Sequence, residues 1–421
     1  MKSRLINLLK HPLISGSSVV FIGSFISNVI NYFFNLAMGR ILTVSEYGIL
    51  LSLTSIITIF AILQISLGNI FTKFTAQFFA QNNRDGINTV FLKGLKISLV
   101  LGAIILGILV LLLPFLLSFL KLDDPLLLII VFISIFISIA TSLPMGMLQG
   151  EMKFYLISFL GITSALIKTV LGVGLVFLGY KVFGALIAVF IAFLVPYLLS
   201  FLYVLKGYKS SKKNIFDESK FVKEFKNYSV GFFIATVSIA LIQNGDIILV
   251  RNLFDPIVAG QYAALSLMGK AIFYLTAPLY FVFFPLIAYK KEKKEAVFKT
   301  LVLAMGIIVL FGSSLSFLYF TFPNLILALF FPAKEYLVLA SLLGPFSLYV
   351  LVFSLAFLMS NYLLSIGKTG IFKLNLIAVI IMTISFFIFH ESLFQVILIL
   401  FSTSFLLLLS LLLYYIKNGR D

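Results

Sequence analysis

LLLIIVFISIFISIATSLPMGML, residues 126–148, holds no ionisable side chain from end to end. An α-helix needs about 20 such residues to cross the hydrocarbon of a bilayer, and apolar core helices of soluble domains are shorter. Residues 99–119 repeat the pattern. The rest of the chain is of the same kind, with 62% of its 421 residues hydrophobic, 11% charged and a mean hydropathy of +1.17. A soluble domain averages about 25% charged residues, which coat its surface. These residues have no aqueous surface to coat, so the chain reads as an all-α integral membrane protein.

Twelve spans are expected, near 17–40, 48–71, 97–119, 126–148, 154–178 and 182–205, then 228–250, 261–285, 298–320, 337–363, 371–389 and 393–416. The net charge of +16 is distributed by side. Of 31 lysines and arginines, twenty-four fall with the N-terminus, five (Arg40, Lys121, Lys181, Arg251, Lys334) fall opposite, and Lys168 and Lys270 fall within spans. That is the positive-inside bias, which places both termini in the cytoplasm of an inner-membrane protein. The basic charge is topological, so a nucleic-acid partner is not expected. The stretch over 1–25 has the charges and apolar run of a signal peptide without its cleavage site, and reads as a short interfacial helix leading into a retained span.

Several chemistries are excluded or disfavoured. With no cysteine there is no disulfide or thiolate site, and His11 and His390 stand alone, so neither a metal nor a cofactor is expected. The acids of the outer loops, Glu46, Asp123, Asp124, Asp255, Glu335 and Glu391, are scattered, and Asp123-Asp124-Pro125 is simple turn chemistry. No paired carboxylates or phosphate-cradling glycine loop supports an enzyme.

The two halves of the chain resemble each other. Asn35-Leu-Ala-Met-Gly-Arg40 ends the first span, and Glu46-Tyr47-Gly48 opens the second. Asp246-Ile-Ile-Leu-Val-Arg251 ends the seventh, and Gly260-Gln261-Tyr262 opens the eighth. A hydrophilic segment over 206–227 divides six spans from six, giving lobes over 1–210 and 211–421. Six spans is an even number, so the repeats run parallel, related by an axis along the membrane normal.

Ionisable groups inside a membrane cost roughly 2.5–3.5 kcal/mol on insertion scales unless they face protein or water. Lys168 lies mid-span, too deep for its stem to reach the interface. Lys270 and Asp246 lie in neighbouring spans and either serve function or are structural, with Asp246 paired to Lys270 or to Arg251. Two cations against one anion suit an anionic cargo, and Ala at either lysine is expected to abolish transport. Ser24, Asn28, Asn31 and Asn35 share one helical face, and Thr236, Gln243 and Asp246 share another, as a wetted interior requires.

The stretch Asn28–Ser55, the Asn244-to-Tyr262 counterpart and the Leu148-Gln149-Gly150 to Lys153 turn resemble the polysaccharide-export (Wzx-type, O-antigen) flippases of the multidrug/oligosaccharidyl-lipid/polysaccharide exporter superfamily. The resemblance implies two pseudo-symmetric six-helix lobes of the MATE-like type and no enzymatic step. It implies flipping of a polyprenyl-pyrophosphate-linked oligosaccharide for capsule, exopolysaccharide or O-antigen assembly. Lys168, Lys270, Arg40 and Arg251 would form a cationic lumen, with Asn28, Asn31, Asn35 and Gln243 meeting the sugar. Asp246 would be the ion-coupling acid. Expected partners are membrane lipids and a polysaccharide polymerase or glycosyltransferases, with the chain itself a monomer. The alternative is a MATE-like cation-coupled multidrug exporter, but relatives of that kind tend to carry an acid in the first span, where this chain has asparagines.

Overall fold

The computed structural model describes residues 12–207, 218–292 and 298–418. The start of the expected interfacial helix and residues 208–217 of the expected connector lie outside the described residues. Among the described residues there are fourteen α-helices and no strand. The first half has α1 Pro12–Ile41, α2 Val44–Ala80, α3 Arg84–Leu111, the short α4 Leu113–Phe119, α5 Pro125–Gly150, α6 Phe154–Leu175 and α7 Lys181–Gly207. The second has α8 Glu218–Leu253, α9 Pro256–Glu292, α10 Phe298–Thr321, the short α11 Pro323–Phe330, α12 Ala340–Ser365, α13 Phe372–Ile388 and α14 Leu393–Asn418.

Eight stretches of described residues are long and apolar enough to span a membrane, one of them, Phe154–Gly207, containing both α6 and α7. Phe372–Ile388 adds a shorter apolar helix. Their outward surface is that of a lipid-facing protein, with Leu111 82% and Leu178 74% exposed. Such apolar exposure, repeated along many helices, is tolerated only where hydrocarbon is the solvent.

Hydropathy located the spans but not the helix ends. α2 runs on to Ala80, and α3 starts at Arg84 rather than near 97, carrying Lys93 and Lys96 inside it. Helical hydrogen bonding continues beyond the apolar window wherever capping is available. The Asn83 side chain supplies it for α3 by accepting from the Gly86 amide at 2.9 Å. The third expected span instead breaks at Leu112, because Pro114 has no amide hydrogen to extend the ladder and opens α4. Asp124 caps α5 by accepting from Leu126 N at 2.9 Å, with Pro125 at the first helical position, so this acid serves the turn.

The repeat is visible in the architecture. Each half places a short helix after its third long one. In each half the third long helix packs on the fourth, the fourth on the sixth and the fifth on the sixth. The fourth, α5 or α12, thus packs against both the third and the sixth in each half.

The chain divides into two compact units, 1–38 with 60–229, and 39–59 with 230–421. A single cut near 210 therefore leaves out residues 39–59, which pack with the second unit. Within that unit the two repeated turns meet. A Cβ at Gly48 would lie 2.8 Å from Gly260 N, and one at Gly260 would overlap the Val44 carbonyl oxygen. Only glycine allows backbones so near. Gly260→Ala is expected to cost about 1–3 kcal/mol, as forced overpacking does, and to lower the thermal unfolding midpoint of the purified protein. An unchanged midpoint would mean that this contact is dispensable.

Candidate functional site

The nine predicted site residues divide between the units. Asn28, Asn31, Asn35 and Lys168 lie in the first; Arg40, Gln243, Asp246, Arg251 and Lys270 lie in the second.

In the second unit, Asp246 on α8 is wholly buried. Its Oδ2 accepts a hydrogen bond from Tyr262 Oη at 2.8 Å, and Lys270 Nζ reaches Oδ1 at 3.3 Å. Tyr262 and Lys270 are eight residues apart on α9, about 12 Å along the axis. Both side chains are long enough to converge on one carboxylate from either side. Phe346 meets the Tyr262 ring edge-on at 5.8 Å and Tyr349 at 5.2 Å, which closes the group off with aromatic surface. Lys270 is only 6% exposed. The pair therefore links α8 to α9, as one of the alternatives left open by the sequence expects.

Arg40 is engaged too. Its guanidinium donates to the carbonyls of Phe330, at 3.0 Å, and Leu329, the last residues of α11. Basic groups at a helix C-terminus satisfy its orphan carbonyls and its dipole. Thr43 and Glu46 form a capping box at the start of α2, with Thr43 N donating to Glu46 Oε2 at 3.0 Å and Glu46 N to Thr43 Oγ1 at 3.3 Å. Tyr47 packs on Phe331, which packs on Tyr336. The Gly39-Arg40 and Glu46-Tyr47-Gly48 signature is thus the local glue of α1, α2 and α11. Arg251 is buried in the last turn of α8, and Gln243 is half-buried on the same helix.

The first unit differs. Lys168 Nζ sits 4.6 Å from the centre of the buried Phe34 ring, a cation–π contact. Gly172, one turn further along α6, vacates the space that this ring fills, since a Cβ there would lie 2.6 Å from it. Lys168 has no carboxylate or other hydrogen-bonding partner among the described residues. In this it differs from Lys270, whose charge the Asp246 carboxylate balances.

One turn before Lys168, Ser164 lines a cavity of about 380 Å³ bounded by α1, α2, α5, α6 and α7. Ser24, Ser27 and Asn28 come from α1, Gln64 from α2, Thr141 from α5, and Ser158 and Ser164 from α6. These hydroxyls and amides share the lining with apolar side chains such as Met145, Leu160 and Phe193, and among the described residues no charged group joins them. Ser27 donates to Gly23 O at 2.8 Å, Ser158 to Val19 O at 3.1 Å and Ser164 to Ala192 O at 2.6 Å, which leaves their lone pairs as acceptors. Gln64 Oε1 accepts from Ser138 at 2.7 Å, which directs its amide nitrogen elsewhere. Asn28 and Ser24 bond no other described residue and remain open to a ligand. Asn31 and Asn35 do not line the cavity, and the Asn35 amide bonds the Asn31 carbonyl at 2.9 Å.

Gln64, Thr141, Ser158 and Ser164 were missed as site residues. Gln64 had a signal, an amide inside the second expected span. The hydroxyls had little, because serine and threonine bond their own helix in any span.

Among curated proteins no sequence matches this chain. Solved structures do match in fold. An inward-facing multidrug resistance MATE family transporter of the MOP superfamily is 12% identical with a TM-score of 0.71, over 92% of this chain and 93% of that one. A MATE crystal structure in complex with MaL6 is 15% identical with a TM-score of 0.69, over 98% and 97%. The family model described as polysaccharide biosynthesis protein matches residues 13–290. A multi-pass helical membrane protein with a MATE-type exporter fold, the chain belongs to the polysaccharide biosynthesis protein family.

Proposed function

We propose that the chain is a flippase that turns a polyprenyl-pyrophosphate-linked oligosaccharide from the inner to the outer leaflet of the cytoplasmic membrane. One observation carries the reading. Lys168, which meets no carboxylate among the described residues, stands one helical turn from a cavity whose mixed lining combines hydroxyls and amides with apolar side chains and carries no charge among the described residues. That arrangement suits a headgroup of mixed character, with phosphate oxygens at Lys168 and sugar hydroxyls at Asn28, Gln64 and the serines. A cationic drug would gain nothing from Lys168 and would meet no carboxylate in the cavity. The lysine distribution supports a chain with both termini cytoplasmic, and family membership supports a role in polysaccharide assembly beside a polymerase or glycosyltransferases.

Moving the headgroup needs no covalent step. Its difficulty is desolvation, since each buried hydroxyl left without a hydrogen bond costs several kcal/mol, roughly 4–8 by water-to-hydrocarbon transfer. The cavity replaces water's hydrogen bonds, and the lipid tail can remain in hydrocarbon. Asp246 serves this reading as a fastener of the second unit. A coupling role would require Tyr262 and Lys270 to release it during the cycle.

The test is reconstitution of the purified chain into vesicles with a lipid-linked oligosaccharide loaded in one leaflet. Exposure of the sugar to a membrane-impermeant glycosidase should rise with protein present. If the vesicles move only a small cationic drug, the multidrug reading replaces this one.

A further inference from the structure

A second cavity of the first unit, about 310 Å³, lies where the start of α3, the α5–α6 turn and the end of α7 come together. It shares no lining residue with the cavity beside Ser164. Phe91 and Met147, both buried, form its apolar wall, and Lys153, Lys206, Tyr203 and Glu151 its polar side. The two lysines come from different turns of the chain and are both exposed. Tyr203, 45% exposed at the end of α7, adds an amphipathic ring of the kind found at bilayer interfaces. Glu151 is half-buried, and burial raises its carboxyl pKa against the opposing pull of Lys153.

A mouth bearing two ammonium groups and a wall of aromatic and thioether surface fits an amphiphile, not a soluble ion. Phosphate oxygens satisfy lysines as point charges, and an attached hydrocarbon chain satisfies the wall. Basic pockets between membrane helices at the cytoplasmic surface hold anionic headgroups in this way. With both lysines charged and Glu151 ionised, the site is singly positive. Neutralising Glu151 would raise its attraction for an anion. The opposite occupant, a cation held by Glu151, would be repelled by both lysines.

We propose that this pocket binds the phosphate of a membrane amphiphile between Lys153 and Lys206, with its chain along Phe91 and Met147. This stands apart from the flippase reading, because it uses neither Lys168 nor the Ser164 cavity.

Native mass spectrometry of the purified full-length chain provides the test, with dioleoyl-phosphatidylglycerol, undecaprenyl phosphate and dioleoyl-phosphatidylcholine titrated separately. One anionic adduct per chain is expected, with a Kd raised about tenfold by Lys153→Ala with Lys206→Ala and restored by arginine at both positions. Glu151→Gln should lower that Kd about threefold. Tighter phosphatidylglycerol would identify a bilayer lipid as the source, and tighter undecaprenyl phosphate a carrier lipid; either supports the site. Equal binding of phosphatidylcholine, indifference to the double alanine variant, or weakening by Glu151→Gln would each overturn it. The arginine variant guards against misfolding, and a chain that proves not to flip oligosaccharides leaves every arm readable.

Discussion

Lys168→Ala should lower the rate of oligosaccharide-lipid flipping on the order of 100-fold while leaving the protein as stable as before or more so. Removing one member of a buried charge pair costs about 2–4 kcal/mol, at ~1.4 kcal/mol per decade. In the resting protein no carboxylate among the described residues pairs with Lys168, whose ammonium group lies over the Phe34 ring. The substitution removes an intramembrane cation that costs roughly 2.5–3.5 kcal/mol to insert. Lost transport with retained or raised stability separates a cargo-binding lysine from a structural one. Lys168→Arg should recover part of the rate, since the positive charge persists on a different geometry. A Lys168→Ala protein that flips at the wild-type rate would sink the headgroup site.

Lys270 should behave in the opposite way. Lys270→Met leaves a fully buried carboxylate with Tyr262 as its remaining hydrogen-bond donor, a change expected to cost about 3–5 kcal/mol and most of the folded yield. Asp246→Asn alone strands the ammonium group and should also destabilise. The double variant removes both charges and should return to within about 1 kcal/mol of the parent, because apolar replacement of a whole buried pair is often neutral. Thermal unfolding of the four proteins gives the coupling energy directly. Additive losses would show that the 3.3 Å contact carries no energy. The double variant also decides the question of ion coupling. If it folds and still flips its cargo, Asp246 is a fastener; if it folds and has lost flipping, the pair takes part in the cycle.

The spans were legible because crossing hydrocarbon imposes a length and an apolarity that leave little freedom. The short helices α4 and α11 were not, because their residues are as apolar as the spans beside them and only a proline marks each start. The parallel repeat was legible at Arg40 and Arg251, yet the likeness in sequence did not carry the same environment. Arg40 is exposed and caps a helix, whereas Arg251 is buried. Lys168 stood out by depth alone. That Lys270 turns to Asp246 was only one of three readings, since spacing along α9 gives a direction around the helix but no identity for the facing residue. The Ser164 cavity was the least visible part. Asn28 belongs to it and Asn35 does not, although the two share one face of α1, because a stripe passes different neighbours as it climbs.

The Gly48–Gly260 contact also sets a timetable for biogenesis. Roughly 210 residues separate the two glycines, so at 5–20 residues per second about 10–40 seconds pass between their synthesis. Through that interval residues 39–59 are already made, and the unit they belong to has yet to emerge. The nascent chain must therefore carry an unfinished surface in the bilayer, and whatever insertion machinery shelters it has to let go only after α9 arrives.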